Sequence, residues 1–244
     1  MEWMANTNVE AVDCKELGGN IKCHRGFVNV AKNMQSSLAE VLEKNLVGEV
    51  NVLFTGHSGG AAIAQLLFAF MHSDSSLLGH FRSGKYSDAY GRFQMTYFAS
   101  WADNRISDID CVTFGGPPVS HTSIPHPSSK SSMFLSFMNE GDPVVLAQKD
   151  YIHYLVQAWV QPTTSVGPIP EPVYSPSGTQ VALRSESMED GNCENISASL
   201  VDINILGSVL FGDPAMHSMT LYNERIQALR AQALPSQDPF QDPD

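Results

Sequence analysis

The chain has 244 residues, 43% of them hydrophobic and 16% charged, a balance typical of a globular protein with a substantial core. Its formal net charge of −12 disfavours nucleic acid and anionic membrane surfaces as partners. No apolar run is long enough for a transmembrane segment, which needs about 18 residues.

The first predicted elements follow one another closely. Apolar residues recur at helical spacing from Phe27 to Leu46, which predicts an amphipathic helix with one face on a core. Residues 49–55 are apolar and rich in β-formers, and they predict a buried strand that ends at Gly56. Residues 60–71 are apolar nearly all round, as in a buried helix. The local order is therefore strand, tight turn, helix.

The middle of the chain is less uniform. We interpret residues 72–108 as loops with a short amphipathic segment at 93–101. Two buried strands are predicted at 109–114 and 132–138, separated by a loop rich in proline and serine. Because helices alternate with buried strands, the sequence predicts an α/β fold with a mainly parallel central sheet.

The C-terminal third begins with a surface excursion at residues 160–177, which contain five prolines. The turn that follows predicts a hairpin or edge strand at 179–184. Residues 199–211 are apolar and fit a helix or a strand equally well. A helix is predicted at 218–231, and the Pro- and Asp-rich residues 233–244 predict a disordered tail.

The four cysteines have no metal-ligand spacing, so we predict no metal site, and no motif indicates another cofactor. Cys111 lies in an apolar run and is predicted to be a buried thiol. Cys14 and Cys23 flank a Gly-Gly turn. Whether these two form a disulfide in an oxidising compartment or stay reduced is left open.

The stretch Leu53–Leu67 reads LFTGHSGGAAIAQLL and contains the pattern G-x-S-x-G at residues 56–60. The pattern alone is weak, because a chain of this length matches it by chance roughly one time in ten. A nucleophile elbow also needs a buried strand before the serine, small residues around the turn and a helix after it. All three are predicted here, so Ser58 is the candidate nucleophile, against the alternative of a solvent-facing serine in a glycine-rich turn.

A serine hydroxyl needs a base to accept its proton and an acid to orient that base. In proteins with this elbow the chain order is serine, acid, histidine. His217 alone among the six downstream histidines lies near the C-terminus, in a turn before the last helix. Asp142 follows a predicted strand within NEGDPVV and is the candidate acid, with Asp150 as the runner-up. Asp213 is so near the histidine that we expect it to shape the turn.

Five segments together resemble the fungal class 3 lipases, in the family's order and over about residues 1–225. They are CHRGFVNVAKNM (23–34), LFTGHSGGAAIAQLL (53–67), CVTFGGPPV (111–119), FMNEGDPVV (137–145) and DPAMHSMTLY (213–222). The resemblance implies an α/β-hydrolase fold with helices on both faces of the sheet. It also implies that the protein cleaves carboxylic esters. It also implies Ser58 as nucleophile, Asp142 as acid and His217 as base, with the Gly59 backbone N–H as one oxyanion donor.

Two further histidines lie in these motifs. His24 opens the segment His24-Arg25-Gly26-Phe27, which is similar to the family's H-x-G-F. Its role is either a structural helix start or a part in catalysis. His57 lies inside the elbow and is expected to pack and form hydrogen bonds rather than act as the base.

The sequence departs from the family pattern in two places. Gly59 stands where the family usually has a larger residue, which loosens the turn but keeps the N–H. Residues 1–6 look like the D-W-x-x-N of the family's lid. We therefore expect upstream strands, with an F-R-G-[ST]-like motif and the second oxyanion donor, to be missing. This chain has no signal peptide, but one would be lost with the same segment if the protein is secreted, so localisation stays open.

We expect one lipase-like domain, residues 1–232, that hydrolyses acylglycerols or related lipid esters through an acyl-enzyme. Trp3, Met4, Val9 and Val12 would then belong to a lid at a lipid interface, or to a first helix that covers the core. The competing hypothesis is a catalytically impaired lipase-like fragment or interaction protein that lacks a complete oxyanion hole.

Overall fold

A computed structural model describes residues 10–17, 20–45, 47–72, 106–126, 132–160, 167–187, 194–202 and 211–233. Several of our predictions therefore lie wholly or mostly outside the described residues: the lid residues of the N-terminus up to Val9, the amphipathic segment at 93–101, and the tail at 233–244 except residue 233.

The described strands form two sheets. They are β1 (Ala11–Asp13), β2 (Lys22–His24), β3 (Val50–His57), β4 (Ile106–Phe114), β5 (Phe134–Asn139), β6 (Thr179–Ser187) and β7 (Glu194–Leu200). Strands β1 and β2 pair antiparallel, and the other five form the central sheet in the order β3-β4-β5-β6-β7. The pairs from β3 to β6 are parallel, and β7 is antiparallel to β6. The predicted mainly parallel sheet is confirmed, and the segment predicted as a hairpin or edge strand forms a hairpin with β7.

Four α-helices are described. They are α1 (Arg25–Asn45), α2 (Gly59–His72), α3 (Lys149–Val160) and α4 (Met219–Ala233). Short 3₁₀ helices lie at Lys15–Leu17, Pro143–Leu146 and Pro214–His217. Helices α1, α2 and α4 match predicted helices within a few residues, whereas α3 has no predicted counterpart. Of the ambiguous segment 199–211, the first two residues end β7, and residues 203–210 lie outside the description. None of the described helices is long and apolar enough to cross a bilayer.

Helices cover both faces of the central sheet. The rings of Phe134 on β5 and Phe68 on α2 lie 4.9 Å apart between centroids. Five residues further along β5, the side chain of Asn139 accepts a hydrogen bond from Arg225 of α4 at 3.0 Å. Because successive side chains of a strand point to opposite faces, residues an odd number apart lie on different faces. Helices α2 and α4 therefore flank the sheet from opposite sides, as the family resemblance implied.

The pairing of β1 with β2 brings Cys14 and Cys23 together. Both are fully buried and present as free thiols, so the structure has these two cysteines reduced rather than joined in a disulfide. A hydrogen bond with Cys23, together with burial, raises the pKa of the Cys14 thiol. Cys111 is a buried thiol, as predicted, and burial raises its pKa to about 12.

Candidate active site

Ser58 occupies the sharp turn between β3 and α2. Its φ of +58° lies in the left-handed region, and no other non-glycine residue of the described ranges has a positive φ. A side chain in this region is strained, which is the backbone geometry that a nucleophile elbow requires. Gly56 makes room for the turn, because a Cβ there would lie 2.7 Å from the backbone nitrogen of Ala61. The predicted strand, turn and helix around Ser58 are all present, but the strand is not buried as predicted: only Phe54 is buried, and Leu53 is 57% exposed.

Backbone hydrogen bonds tie the turn to its neighbours. The N–H of Ser58 donates to the carbonyl of Phe114 on β4 at 3.1 Å, and the carbonyl of Ser58 accepts from Ala61 at 3.0 Å. Helix α2 begins at Gly59. The first N–H groups of a helix have no acceptor within it and carry the positive end of its dipole. The Gly59 N–H is therefore suited to stabilising an anion beside Ser58.

Asp142 and His217 are 75 residues apart in the chain and in contact in the fold. Asp142 caps the 3₁₀ helix that follows β5, and His217 is the last residue of the one that precedes α4. The His217 Nδ1–H donates to both carboxylate oxygens, at 3.0 and 3.1 Å. The Asp142 side chain is completely buried, whereas 22% of the His217 side chain is exposed. With Nδ1 bound to the carboxylate, Nε2 of His217 holds the lone pair that a general base needs.

Tyr222 of α4 also binds Asp142, and sequence reasoning missed it. Its hydroxyl donates to Oδ2 of the carboxylate at 2.7 Å and accepts the N–H of Asn139 at 2.9 Å. The other carboxylate oxygen accepts the N–H of Val144 at 2.8 Å. Burial, and then the charge of Asp142, raise the pKa of Tyr222, so the phenol stays protonated and donates. A buried carboxylate needs such partners, because an unpaired one would be very costly.

Asn139 and Arg225 extend this network. The amide of Asn139 donates to the carbonyl of Met216 at 2.8 Å, which anchors the turn next to His217. Arg225 is buried and donates through Nη1 to Asn139 and to the carbonyl of Leu183, both at 3.0 Å. Tyr222 and Arg225 are three residues apart and so share a face of α4. Polar residues at that spacing on a predicted helix were the available signal.

His57 packs against His217 rather than competing with it. Its Nε2–H donates to the backbone carbonyl of His217 at 2.9 Å, and the two rings stack with centroids 4.5 Å apart. Burial, followed by the neighbouring His217, lowers the pKa of His57 and favours its neutral form. Within the described residues no hydrogen bond joins Ser58 to His217. Catalytic hydrogen bonds are often long in the absence of substrate and tighten when it binds.

Gly115 directly follows β4 and lies against Asp142 and His217. Its φ of +55° favours glycine. A Cβ there would lie 2.8 Å from Oδ2 of Asp142 and 3.1 Å from both Nδ1 of His217 and the hydroxyl of Tyr222. Asp142, His217 and Tyr222 therefore pack against a position that has no room for a side chain.

A cavity of about 750 Å³ opens beside the elbow, and both Ser58 and Gly59 lie in its wall. Most of the remaining wall is apolar, and includes Phe27, Pro117, Leu146, Ile152, Ile169 and Val173. His24 also lines the cavity and is buried, and burial lowers its pKa. The segment predicted as a surface excursion contributes Ile169 and Val173 to this wall. A cavity of this size and polarity fits a small apolar ligand or an acyl chain.

The remaining candidates have other positions. Asp150, the alternative acid, is exposed at the rim of the cavity, and the carboxylate that binds His217 is that of Asp142. Asp213 accepts the N–H of Ala215 at 2.9 Å and caps the 3₁₀ helix, so it shapes the turn. No group of three or more metal-binding side chains is found among the described residues.

Comparison with known proteins gives one family and several structures. The model of the family described as Lipase (class 3) matches residues 1–150. No curated protein matches the chain. A structure described as "A serine protease triad forms the catalytic centre of a triacylglycerol lipase" is 18% identical, with a TM-score of 0.46. The Rhizomucor miehei triacylglyceride lipase is 17% identical with a TM-score of 0.45, and lipase II from Rhizopus niveus is 17% identical with a TM-score of 0.40. Each similarity covers 88% of this chain and 64% of the other, so the chain spans less than two thirds of these lipases.

Proposed function

Since the chain belongs to the class 3 lipase family, we propose that it hydrolyses carboxylic esters with Ser58 as nucleophile, His217 as base and Asp142 as acid. The observation that carries the proposal is the bonded pair of His217 and Asp142 at the end of the parallel sheet that also bears the elbow. In open α/β sheets, ligands bind outside the carboxyl ends of the strands.

The proposed reaction has two steps. The Ser58 hydroxyl oxygen attacks the acyl carbonyl carbon while Nε2 of His217 takes the hydroxyl proton. The Gly59 N–H stabilises the resulting oxyanion, and the alcohol leaves with the proton returned by His217. Water then attacks the acyl-enzyme, again with His217 as base, and releases the carboxylic acid. Asp142 stabilises the charged imidazole throughout.

We propose an ester with an apolar acyl chain, from an acylglycerol or a related lipid, as the substrate class. The apolar wall of the cavity beside Ser58 supports this, because it offers little polar surface to a hydrophilic acyl group. A series of nitrophenyl esters of increasing chain length tests the point. Activity that peaks at acetate would contradict the lipid assignment while leaving an esterase possible.

A fluorophosphonate label tests the nucleophile. It should modify the folded chain at Ser58, and Ser58→Ala should abolish the labelling. Asp142→Asn should still fold but label far more slowly, because loss of the acid costs on the order of ten-thousandfold in kcat in related triads. Absence of Ser58-dependent labelling in a sample that circular dichroism shows to be folded would rule out the active-enzyme proposal for this chain.

A catalytically impaired lipase-like protein is the second candidate, and one observation favours it. Within the described residues, β3 pairs only with β4, and Gly59 is the one oxyanion donor that we identify. Removal of one donor from an oxyanion hole typically lowers kcat on the order of a hundred- to a thousandfold. Stoichiometric labelling of Ser58 with negligible turnover of every ester would support this candidate over the first.

A further inference from the structure

Arg225 of α4 is a buried cation without an ion-pair partner in the part of the chain that the structure describes. The residue is 7% exposed. Its Nη1 donates to Oδ1 of Asn139 and to the carbonyl of Leu183, both at 3.0 Å. Its Nη2 reaches the Met216 sulfur at 3.8 Å, and its Nε has no hydrogen-bond partner among the described residues. A guanidinium stays charged at any ordinary pH, and a buried charge is costly unless an opposite charge compensates it.

A chain of hydrogen bonds connects Arg225 to the opposite charge of Asp142. Asn139, which accepts from Arg225, donates its backbone N–H to the Tyr222 hydroxyl at 2.9 Å. The same hydroxyl donates to Oδ2 of Asp142 at 2.7 Å. Asp142 and Tyr222 are both fully buried. Two buried charges of opposite sign are therefore separated by one asparagine and one phenol, where salt screens them far less than at the surface.

The other titratable groups that face His217 do not supply a positive charge. His57 of β3 stacks on the His217 ring, and burial lowers its pKa and favours the neutral form. Burial raises the pKa of Tyr222, which keeps its proton. Asp213, on the same turn as His217, is exposed and accepts the N–H of Ala215.

The described charges nearest to Arg225 along the chain and in space are engaged elsewhere. Glu140, the residue after Asn139, pairs with Arg184 at 3.3 Å, and both side chains are about half exposed. Glu224 precedes Arg225 on α4 and is exposed to solvent. Among the described side chains, Arg225 is therefore the buried cation that can compensate Asp142.

We propose that the buried charge of Arg225 balances that of Asp142 and so limits how readily His217 takes up a proton. A carboxylate beside an imidazole stabilises its protonated form, and a nearby cation opposes this effect. An imidazole that is already protonated cannot accept the Ser58 proton. Arg225 is thus a positioning residue that acts through Asn139 and Tyr222. Its consequence for ester hydrolysis rests on the function proposed above, whereas the charge balance itself does not require Ser58.

NMR titration of the His217 ring in the Ser58→Ala protein tests the charge balance without catalysis. The ring signals are assigned by their loss when His217→Gln is added. Arg225→Met should raise the titration midpoint of His217 by on the order of one pH unit, because unit charges several ångströms apart in a protein interior interact strongly. Arg225→Gln also removes the charge but keeps an N–H donor for Asn139, so it serves if Arg225→Met does not fold.

Two control variants separate charge from structure. Arg225→Lys keeps the positive charge and should leave the midpoint close to that of the parent. The matched control is Arg230→Met, which removes the same charge from an exposed position of the same helix. It should leave the midpoint unchanged, because solvent screens an exposed charge.

An unchanged midpoint in the folded charge-removing variants of Arg225 would overturn the proposal and leave Arg225 with a structural role alone. So would an equal rise in Arg225→Lys or Arg230→Met, because the buried charge would then not be the cause.

The Ser58-containing protein links the charge balance to the proposed reaction. With a soluble nitrophenyl ester, the acid limb of kcat/KM against pH should move upwards with the NMR midpoint in Arg225→Met, so that activity below the midpoint falls by about tenfold. An active protein whose acid limb does not follow the NMR midpoint would refute His217 as the base. A shifted midpoint in a protein that hydrolyses no ester would refute the enzymatic function and leave the charge balance intact.

Discussion

Replacement of Tyr222 by phenylalanine removes one oxygen atom from beneath the proposed acid. The phenol donates to Asp142 at 2.7 Å and accepts the N–H of Asn139 at 2.9 Å. The ring of the variant can keep its packed position, because Tyr222 is fully buried and the substitution only shortens the side chain. The perturbation is therefore confined to two hydrogen bonds.

The expected loss of stability follows from the kinds of bond removed. A hydrogen bond to a charged group contributes about 1.5–3 kcal/mol, and a buried N–H left without a partner costs about 1–3 kcal/mol. We expect the Tyr222→Phe variant to lose about 2.5–6 kcal/mol of unfolding free energy. For a chain of this size each kcal/mol shifts Tm by roughly 2–4 °C. Because Asp142 keeps its bonds to Val144 and His217, kcat should fall by about tenfold rather than by the full effect of losing the acid.

Chemical denaturation and steady-state hydrolysis of a soluble nitrophenyl ester measure the two effects. The matched control is Tyr151→Phe, since the Tyr151 hydroxyl also donates to one backbone group and accepts from another, both in Phe211 and both at 2.8 Å. This control loses neutral bonds only, although it too leaves a buried N–H, that of Phe211, without its partner. It should therefore be destabilised by about 1.5–4.5 kcal/mol, with kcat preserved. The KM of Tyr222→Phe should stay close to that of the parent, because the hydroxyl orients the acid and does not contact substrate.

An unchanged kcat in Tyr222→Phe, with stability lowered as in the control, would refute the reasoning. Tyr222 would then be a structural residue whose contact with Asp142 has no consequence for the reaction.

Three further predictions concern single positions. Gly115→Ala should fold less stably and lose most Ser58-dependent activity, because its Cβ would displace Asp142 and His217; fluorophosphonate labelling at the parent rate would contradict this. Burial lowers the pKa of His24, so between that pKa and the ordinary histidine value of about 6.5 the unfolded chain binds more protons than the folded one. The unfolding free energy should therefore fall as the pH decreases through this range. His24→Gln should make this fall smaller when the unfolding free energy is measured by denaturant titration at a series of pH values. The same dependence on pH in the variant and the parent would contradict this prediction. Burial raises the pKa of Cys111 to about 12, so iodoacetamide at pH 8 should modify it only after unfolding, which mass spectrometry can check; modification in the folded state would be the opposing result.

The elbow could be predicted because its signals are local. Strand, glycines and helix all lie within 20 residues of Ser58, and each follows from periodicity or turn chemistry. Choosing the proposed acid and base among the other Asp and His residues needed one more rule, the order of serine, acid and histidine along the chain of such proteins. The spacing of Tyr222 and Arg225 marks a shared face of the last helix, but the contact of Tyr222 with Asp142 could not be predicted, because it spans 80 residues and no local pattern encodes which buried side chains meet.

Helix α3 was missed for a physical reason. It contains tyrosine, isoleucine, valine and tryptophan, which favour strands by intrinsic propensity. Its apolar residues also occupy both the buried side, with Leu155, and the exposed side, with Val156, so the usual contrast between faces is weak.

Helix α4 is joined by side-chain hydrogen bonds to residues at the carboxyl end of the central sheet. From α4, Tyr222 binds Asp142, and Arg225 binds Asn139, which in turn holds the turn before His217. Detachment of this helix would remove the Tyr222 bond to Asp142 and the Arg225 bond to Asn139, and so loosen the pairing of Asp142 with His217. Heat or denaturant should therefore abolish the proposed activity while most of the backbone amides remain protected from hydrogen exchange. Loss of activity would then be an early and reversible event, set by the grip of one helix rather than by global unfolding.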